Sequence, residues 1–160
     1  MAKRRRYWLL KSEPESYGID DLERDGSTYW DGVRNYQARN FMRDDMKVGD
    51  GVLYYHSNAK PPGIVGIARV SREGYPDPSQ FDEKSHYYDA KSSEENPRWI
   101  VVDIEFVAKL DETLSLPALK EDPKLEGLPL LQKGQRLSVQ PVEAKHWRHI
   151  LKRAGVKEGA

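Results

Sequence analysis

The apolar positions of the chain fall into short, interrupted runs with two different periods. Tyr7-Trp8-Leu9-Leu10 is an aromatic and aliphatic run that predicts a first strand. Glu13-Pro14 ends it, because proline lacks an N–H and restricts the residue before it. A short helix is predicted over Ile19 to Asp25, stopped by Gly26, and Asp31-Gly32 marks a turn. Ala38, Phe41, Met42 and Met46 recur at i, i+3, i+4 and i+8, one buried face of a helix that Gly49-Asp50-Gly51 stops. Arg39, Arg43 and Lys47 follow a neighbouring stripe of that helix.

The pattern then changes to period two. Val52, Tyr54 and His56 alternate with Leu53, Tyr55 and Ser57, and Gly63 to Val70 is rich in β-formers, so a hairpin with a longer loop is expected. Tyr75 to Pro97 is a polar excursion, a kind of segment that is often functional when ordered. Trp99 to Val107 is a third strand with Ile100, Val102, Ile104 and Phe106 inward. Leu116 to Leu131 admits at most one short helix. Gln135 to Gln140 reads as a short strand before a closing helix whose inner face is Trp147, Ile150, Leu151 and Ala154. Strands and short helices are intermixed without a βαβ rhythm. That pattern favours an α+β domain with a mostly antiparallel, curled sheet.

Composition narrows the function. The 160 residues suit one domain, expected over 7–154 between a basic tail, 1–6, and a tail at 155–160. Lys plus Arg and Asp plus Glu are 26 each, so a polycation coating nucleic acid by charge alone is excluded, and a nucleic-acid partner needs a local patch. With no Cys there is neither a disulfide framework nor a cysteine nucleophile. No apolar run approaches a membrane span and no signal peptide follows the basic start, so a cytoplasmic or nuclear protein without a membrane partner is expected. The four histidines form no ligand motif, so neither a metal nor another cofactor is expected.

The chain also holds 4 Trp, 9 Tyr and 3 Phe, residues that serve partly wet pockets as well as cores. The densest polar stretch is Trp30-Asp31-Gly32-Val33-Arg34-Asn35-Tyr36-Gln37-Ala38-Arg39-Asn40. Arginine donates to phosphate or a guanine edge, asparagine pairs with base edges, and aromatic rings stack on bases. The plainer alternative is that Asn35 caps a helix and Arg39 makes a surface ion pair. His56-Ser57 invites a hydrolase reading, but strand neighbours point to opposite faces and form no nucleophile-base pair.

Tyr7-Trp8-Leu9-Leu10-Lys11-Ser12-Glu13-Pro14 resembles the opening of the EVE domain, and Trp30 to Asn40 resembles its central signature. Tyr55-His56-Ser57-Asn58, Pro97-Arg98-Trp99 and Arg136-Leu137-Ser138-Val139 resemble its later blocks in order. The resemblance implies a PUA-like fold, a small curled β-barrel flanked by helices and related to YTH and ASCH domains. It also implies a non-enzymatic domain that binds DNA or RNA by taking a modified base, such as a methylated or hydroxymethylated cytosine, into an aromatic pocket. Carried onto these positions, Trp30 is a stacking wall, and Asn35 and Ser12 read the base edge. Tyr55, His56 and Ser57 line the pocket. Arg34 and Arg39 hold the sugar-phosphate or support the floor, and Trp99 is a second wall or a core residue. The alternative is an RNA-processing or hydrolytic enzyme using the same pocket, with His56 or Glu13 as general base.

Overall fold

The structure, a computed structural model, describes residues 5–133 and 137–156. Arg136 and most of the two tails therefore lie outside the described residues. Six strands form one sheet: β1 (Tyr7–Ser12), β2 (Ser27–Tyr29), β3 (Gly51–His56), β4 (Gly63–Pro76), β5 (Ile100–Ser115) and β6 (Val139–Val142). Among the described residues five short α-helices accompany it: α1 (Pro14–Tyr17), α2 (Ile19–Asp25), α3 (Tyr36–Asn40), α4 (Leu116–Lys120) and α5 (Ala144–Ala154). The strand order is β2-β5-β4-β3-β1-β6. Every neighbouring pair is antiparallel except β1 with β3, which run parallel from Tyr7↔Gly51 to Ser12↔His56. The α+β class and the mostly antiparallel sheet expected from the sequence are present. The expected barrel is an open sheet instead: β2 and β6 are its edges and do not pair with each other among the described residues. The long β4–β5 ladder shifts register four times, which bends and twists the sheet without closing it.

The sheet separates two apolar layers. Trp8, Leu10, Val52, Tyr54 and Ile104 face α2, α3 and their flanks. Leu9, Leu53, Tyr55 and Ile67 face α4, α5 and the segment between them. The two sets alternate along β1 and β3, as period-two patterning requires. Gly51 belongs to the second layer's packing: a Cβ there would lie 2.5 Å from the Trp147 ring, so only glycine lets α5 dock this closely.

Several elements depart from the sequence reading. Among the described residues the short strand expected over Gln135 to Gln140 is instead β6 at Val139–Val142, and Pro14 opens the unexpected helix α1. The predicted helix through Met46 is α3 followed by a single wide π-turn at Phe41–Asp45, closed by Met46 N–H donating to the Phe41 carbonyl. Strand β2 carries no alternating apolar signal, since Ser27 and Tyr29 are exposed, yet it pairs with β5. The stretch expected to be a tail begins to pack by Arg5 and Arg6. Arg5 donates to the Gly49 carbonyl at 2.8 Å, and Arg6 lies 4.9 Å over the Trp8 ring.

Asp50 ties the start of β1 to the turn before β3. It is 3% exposed and accepts from Trp8 Nε1 at 2.9 Å, Lys47 N–H at 3.0 Å and Arg6 N–H at 3.2 Å. Removing this acceptor strands a buried indole donor. Asp50→Ala is expected to cost about 2–4 kcal/mol of unfolding free energy, measurable by urea melting, with Asp50→Asn recovering part of it. A loss within about 0.5 kcal/mol of wild type, the range of an ordinary surface change, would refute the role.

Candidate nucleic-acid interface

A cleft of about 710 Å³ lies beyond the carboxyl ends of the parallel strands β1 and β3. That volume is within the roughly 300–1,000 Å³ of small-molecule sites. One side is the end of β1 and the first helix, with Lys11, Ser12, Glu13 and Tyr17. The other is Tyr29 to Val33, and Tyr87 overhangs from the 77–99 excursion. Ser57 closes the floor beside Ser12, its N–H donating to the Ser12 carbonyl at 3.0 Å.

Trp30 is the aromatic base of the cleft. It is only 8% exposed and meets Tyr54 edge-on, with ring centroids 5.4 Å apart. Tyr54 in turn donates its hydroxyl to the Tyr17 carbonyl, and burial pushes its phenol up. Tyr17 donates to Asp25 at 2.7 Å; burial first and that carboxylate second push its phenol up to about 12. Both phenols are therefore neutral near pH 7. Tyr87 sits against the face of Gly32, where a Cβ would approach its ring to 2.6 Å. Gly32 has φ +77°, a second reason that only glycine fits.

The charges of the cleft are muted. Burial pushes the Lys11 ammonium down, and Lys11 Nζ lies 5.8 Å over the Tyr55 ring. Asp31, exposed at its outer edge but crowded by protein on the other, is pushed up by burial first and by the charge of Asp77 second. A muted cleft with aromatic surfaces suits a neutral planar group better than a phosphate.

Of the nine residues singled out in the sequence, Ser12, Trp30 and Ser57 line this cleft. Arg34 stands behind it. Its guanidinium donates to Val33 O, Asp77, Ser79 Oγ and, twice, to Tyr87 O, which consumes all five donors and leaves none for a phosphate. It also lies 5.3 Å from the ring centres of both Tyr87 and Trp99. Arg34 is thus bound to the Tyr87 side of the cleft from behind and does not line it. Trp99 is 6% exposed, stacks on Tyr36 at 4.9 Å and donates Nε1 to Asp89 at 2.7 Å, an anchor of the excursion rather than a cleft wall. Asn35 caps α3 by accepting from Ala38 N–H at 3.0 Å and is not a cleft residue. Arg39 donates to Asn40 and to the Arg98 carbonyl, away from the cleft.

Tyr55 belongs to the opposite layer of the sheet, as its place in the β3 alternation dictates; Tyr54 is the residue under Trp30. His56 also lies outside the cleft: its Nε2 accepts from Ile19 N–H at 3.1 Å and caps α2. Tyr17, Tyr29, Asp31 and Tyr87 line the cleft without having been singled out. The exposed Tyr87-Tyr88 pair inside a polar segment was the available signal for the last wall.

Residues 6–153 match the family model of the EVE domain, and the chain belongs to the EVE domain family. Among its relatives is thymocyte nuclear protein 1 of Gallus gallus, 44% identical over 163 residues that cover 91% of this chain and 67% of that protein. A crystal structure from Pseudomonas syringae superposes with a TM-score of 0.89 at 51% identity, covering 92% of this chain and 99% of the other. The human THYN1 protein, solved in complex with 5-methylcytosine-containing DNA, gives a TM-score of 0.85 at 38% identity, covering 95% of this chain and 99% of the other. A YTH domain of Zygosaccharomyces rouxii, at 14% identity, covers 98% of this chain and 88% of its own and shares the fold alone, with a TM-score of 0.56. Among the described residues no helix is long and apolar enough to cross a membrane, and no group of His, Cys, Asp or Glu is placed to hold a metal ion.

The His56 cap makes a pH signature. The ring works as an acceptor, hence unprotonated, and burial holds its pKa below the ordinary 6.5 against the pull of Asp20 and Asp21. With the folded value depressed, the unfolded chain takes the proton first. The contribution is complete above about pH 6.5 and is lost as pH falls toward the folded value. The stability difference between wild type and His56→Gln should therefore shrink below about pH 6.5 in a series of urea melts. A difference that stays flat across the series would contradict the assignment.

Proposed function

We propose that this chain is a non-enzymatic binding domain for DNA carrying a modified base, with a methylated cytosine as the leading case, and that the base enters the cleft between Trp30 and Tyr87. The observation that carries this reading is the cleft itself. It has an aromatic base, an aromatic overhang and muted charge, and it sits at the sheet end where the family's opening and central blocks meet. The human relative solved with 5-methylcytosine-containing DNA supports the choice of ligand.

The energetics are those of an extruded base. Unstacking costs a few kcal/mol, and each aromatic contact returns about 1–3 kcal/mol. A methyl group buried against the rings adds about 0.8 kcal/mol, roughly a fourfold preference over the unmodified base. Ser12 and Ser57 supply hydroxyls at the floor, and a hydroxymethyl group has a partner there. A hydrolytic role draws no support from His56, because its free nitrogen lone pair already serves the α2 cap.

Trp30 is a poor probe of this reading, since truncating a buried Trp costs about 3–5 kcal/mol of stability on its own. Tyr87 is 41% exposed and is the better one. Tyr87→Ala is expected to weaken binding of a duplex with a single 5-methylcytosine by about 1–3 kcal/mol, in fluorescence-anisotropy titrations, with little change in melting temperature. Equal wild-type affinity for modified and unmodified duplexes across a panel of modified cytosines and adenines would sink the proposal.

A further inference from the structure

Two acids line the cleft, Glu13 and Asp31, and neither has an ion-pair partner among the described residues. The Asp31 carboxylate lines the cleft next to Trp30. Its backbone is nonetheless fixed on both sides. Trp30 N–H donates to the Val102 carbonyl at 2.8 Å, and Gly32 N–H donates to Asp77 at 3.0 Å. The neighbouring carboxylate, Asp77, is fully buried and already engaged by Arg34, Gly32 and Ser79, so it is not available to a ligand. Asp31 is thus a held acceptor at the edge of an aromatic surface, met by its own backbone N–H and by the nearby charge of Arg34 but by no other side chain's hydrogen bond among the described residues.

We propose that Asp31 is the specificity-determining residue of the cleft: its carboxylate accepts the exocyclic amine of the bound base, so the cleft takes amino bases of the cytosine type and rejects keto bases of the thymine type that carry the same methyl group. This rests on the modified-base reading above. An ionised carboxylate only accepts hydrogen bonds. Cytosine offers its N4 amine to such a group, whereas thymine places the O4 acceptor at that position. 5-Methylcytosine and thymine have the same methyl and nearly the same stacking surface. Rings and apolar volume alone do not separate them; a fixed carboxylate does. The second acid of the cleft, Glu13, lies on the opposite side, at the end of β1, and its longer side chain is exposed with more rotamers to lose. That makes it the weaker candidate.

The test uses the full chain and three duplexes at neutral pH. They are identical except for one nucleotide, 5-methylcytosine, thymine or cytosine, set opposite an abasic site so that pairing contributes equally. Wild type should bind the 5-methylcytosine duplex at least about tenfold more tightly than the thymine duplex. Asp31→Asn, whose amide both donates and accepts, should bring that ratio to within about twofold while melting like wild type. Glu13→Gln should leave the ratio unchanged. Preference for 5-methylcytosine over cytosine with none over thymine would overturn the inference and leave the modified-base reading standing. So would a ratio that survives in Asp31→Asn or collapses in Glu13→Gln. Equal affinity for all three duplexes would overturn both.

Discussion

The cleft depends on one buried carboxylate. Asp77 has no exposed side-chain surface, yet it bonds the Arg34 guanidinium, the Gly32 N–H, and the Ser79 N–H and hydroxyl. Those partners belong to two segments far apart in sequence, the turn after β2 and the start of the 77–99 excursion. Among the described residues the excursion has no strand in the sheet to hold it, and its ladder contact is an isolated bridge at Ser93↔Asn96. Backbone turn bonds, such as Asp89 N–H to the Gln80 carbonyl, shape it locally, and side chains bonding backbone tie those turns together. Buried Gln80 donates to the Asp77 and Trp99 carbonyls and accepts from Arg98 and Trp99 N–H groups and the Ser92 hydroxyl. A buried ion pair of this kind adds little net stability, but losing one partner leaves a stranded charge at a cost of several kcal/mol. Its consequence is positional: it sets Tyr87 over Gly32 and so gives the cleft its second aromatic wall.

The place of the cleft follows from the single parallel pair in an otherwise antiparallel sheet. Antiparallel neighbours return the chain to its partner through a turn, which fills the end of the sheet. Strands β1 and β3 both finish at the same end, and their continuations diverge, one into α1 at Pro14 and the other into the loop from Ser57. A crevice opens between diverging exits, the geometry by which parallel strands commonly create sites at their carboxyl ends. Ser12 and Ser57 are the first residues beyond or at those ends, which is why two hydroxyls lie at its floor.

Local order in the sequence was enough wherever one face of one element decides the outcome. Helix α2 has the bounds expected from Ile19, Leu22 and the stop at Gly26, and the inner face of β5 is led by Ile100, Val102 and Ile104 as its alternation indicates. Non-local pairing was not legible. Ser27–Tyr29 becomes a strand only because β5 runs past it, and the open sheet edge depends on how far bulges bend the β4–β5 ladder. At the site, residue type proved ambiguous in a physical way. Asn35 has the oxygen a base edge needs and the same oxygen a helix start needs, and the local demand takes it. Arg34 has five donors; the excursion, distant in sequence, takes four of them and the Val33 carbonyl takes the fifth. Tyr55 and Tyr54 differ by one position on a strand, hence by the whole thickness of the sheet.

On the proposed function, the distribution of cations favours recognition through the base over the backbone. Net charge is zero, and many arginines of the described residues are engaged by neighbours: Arg6 with Asp45, Arg24 with Asp25, Arg43 with Asp44, Arg69 with Glu105 and Arg153 with Asp122. All but the partly covered Arg153–Asp122 pair are exposed and individually weak, so a phosphate competes for them, but each exchange returns little because one ion contact replaces another. A surface of this kind gives a shallow salt dependence and weak attachment to arbitrary sequence. If the chain acts as proposed, weak general attachment is an advantage, because the ratio of the two affinities, not the tighter of them, decides where a reader of one altered base resides. The same logic explains an acid in the cleft: a carboxylate lowers affinity for any polyanion, and it does so least where an amine meets it.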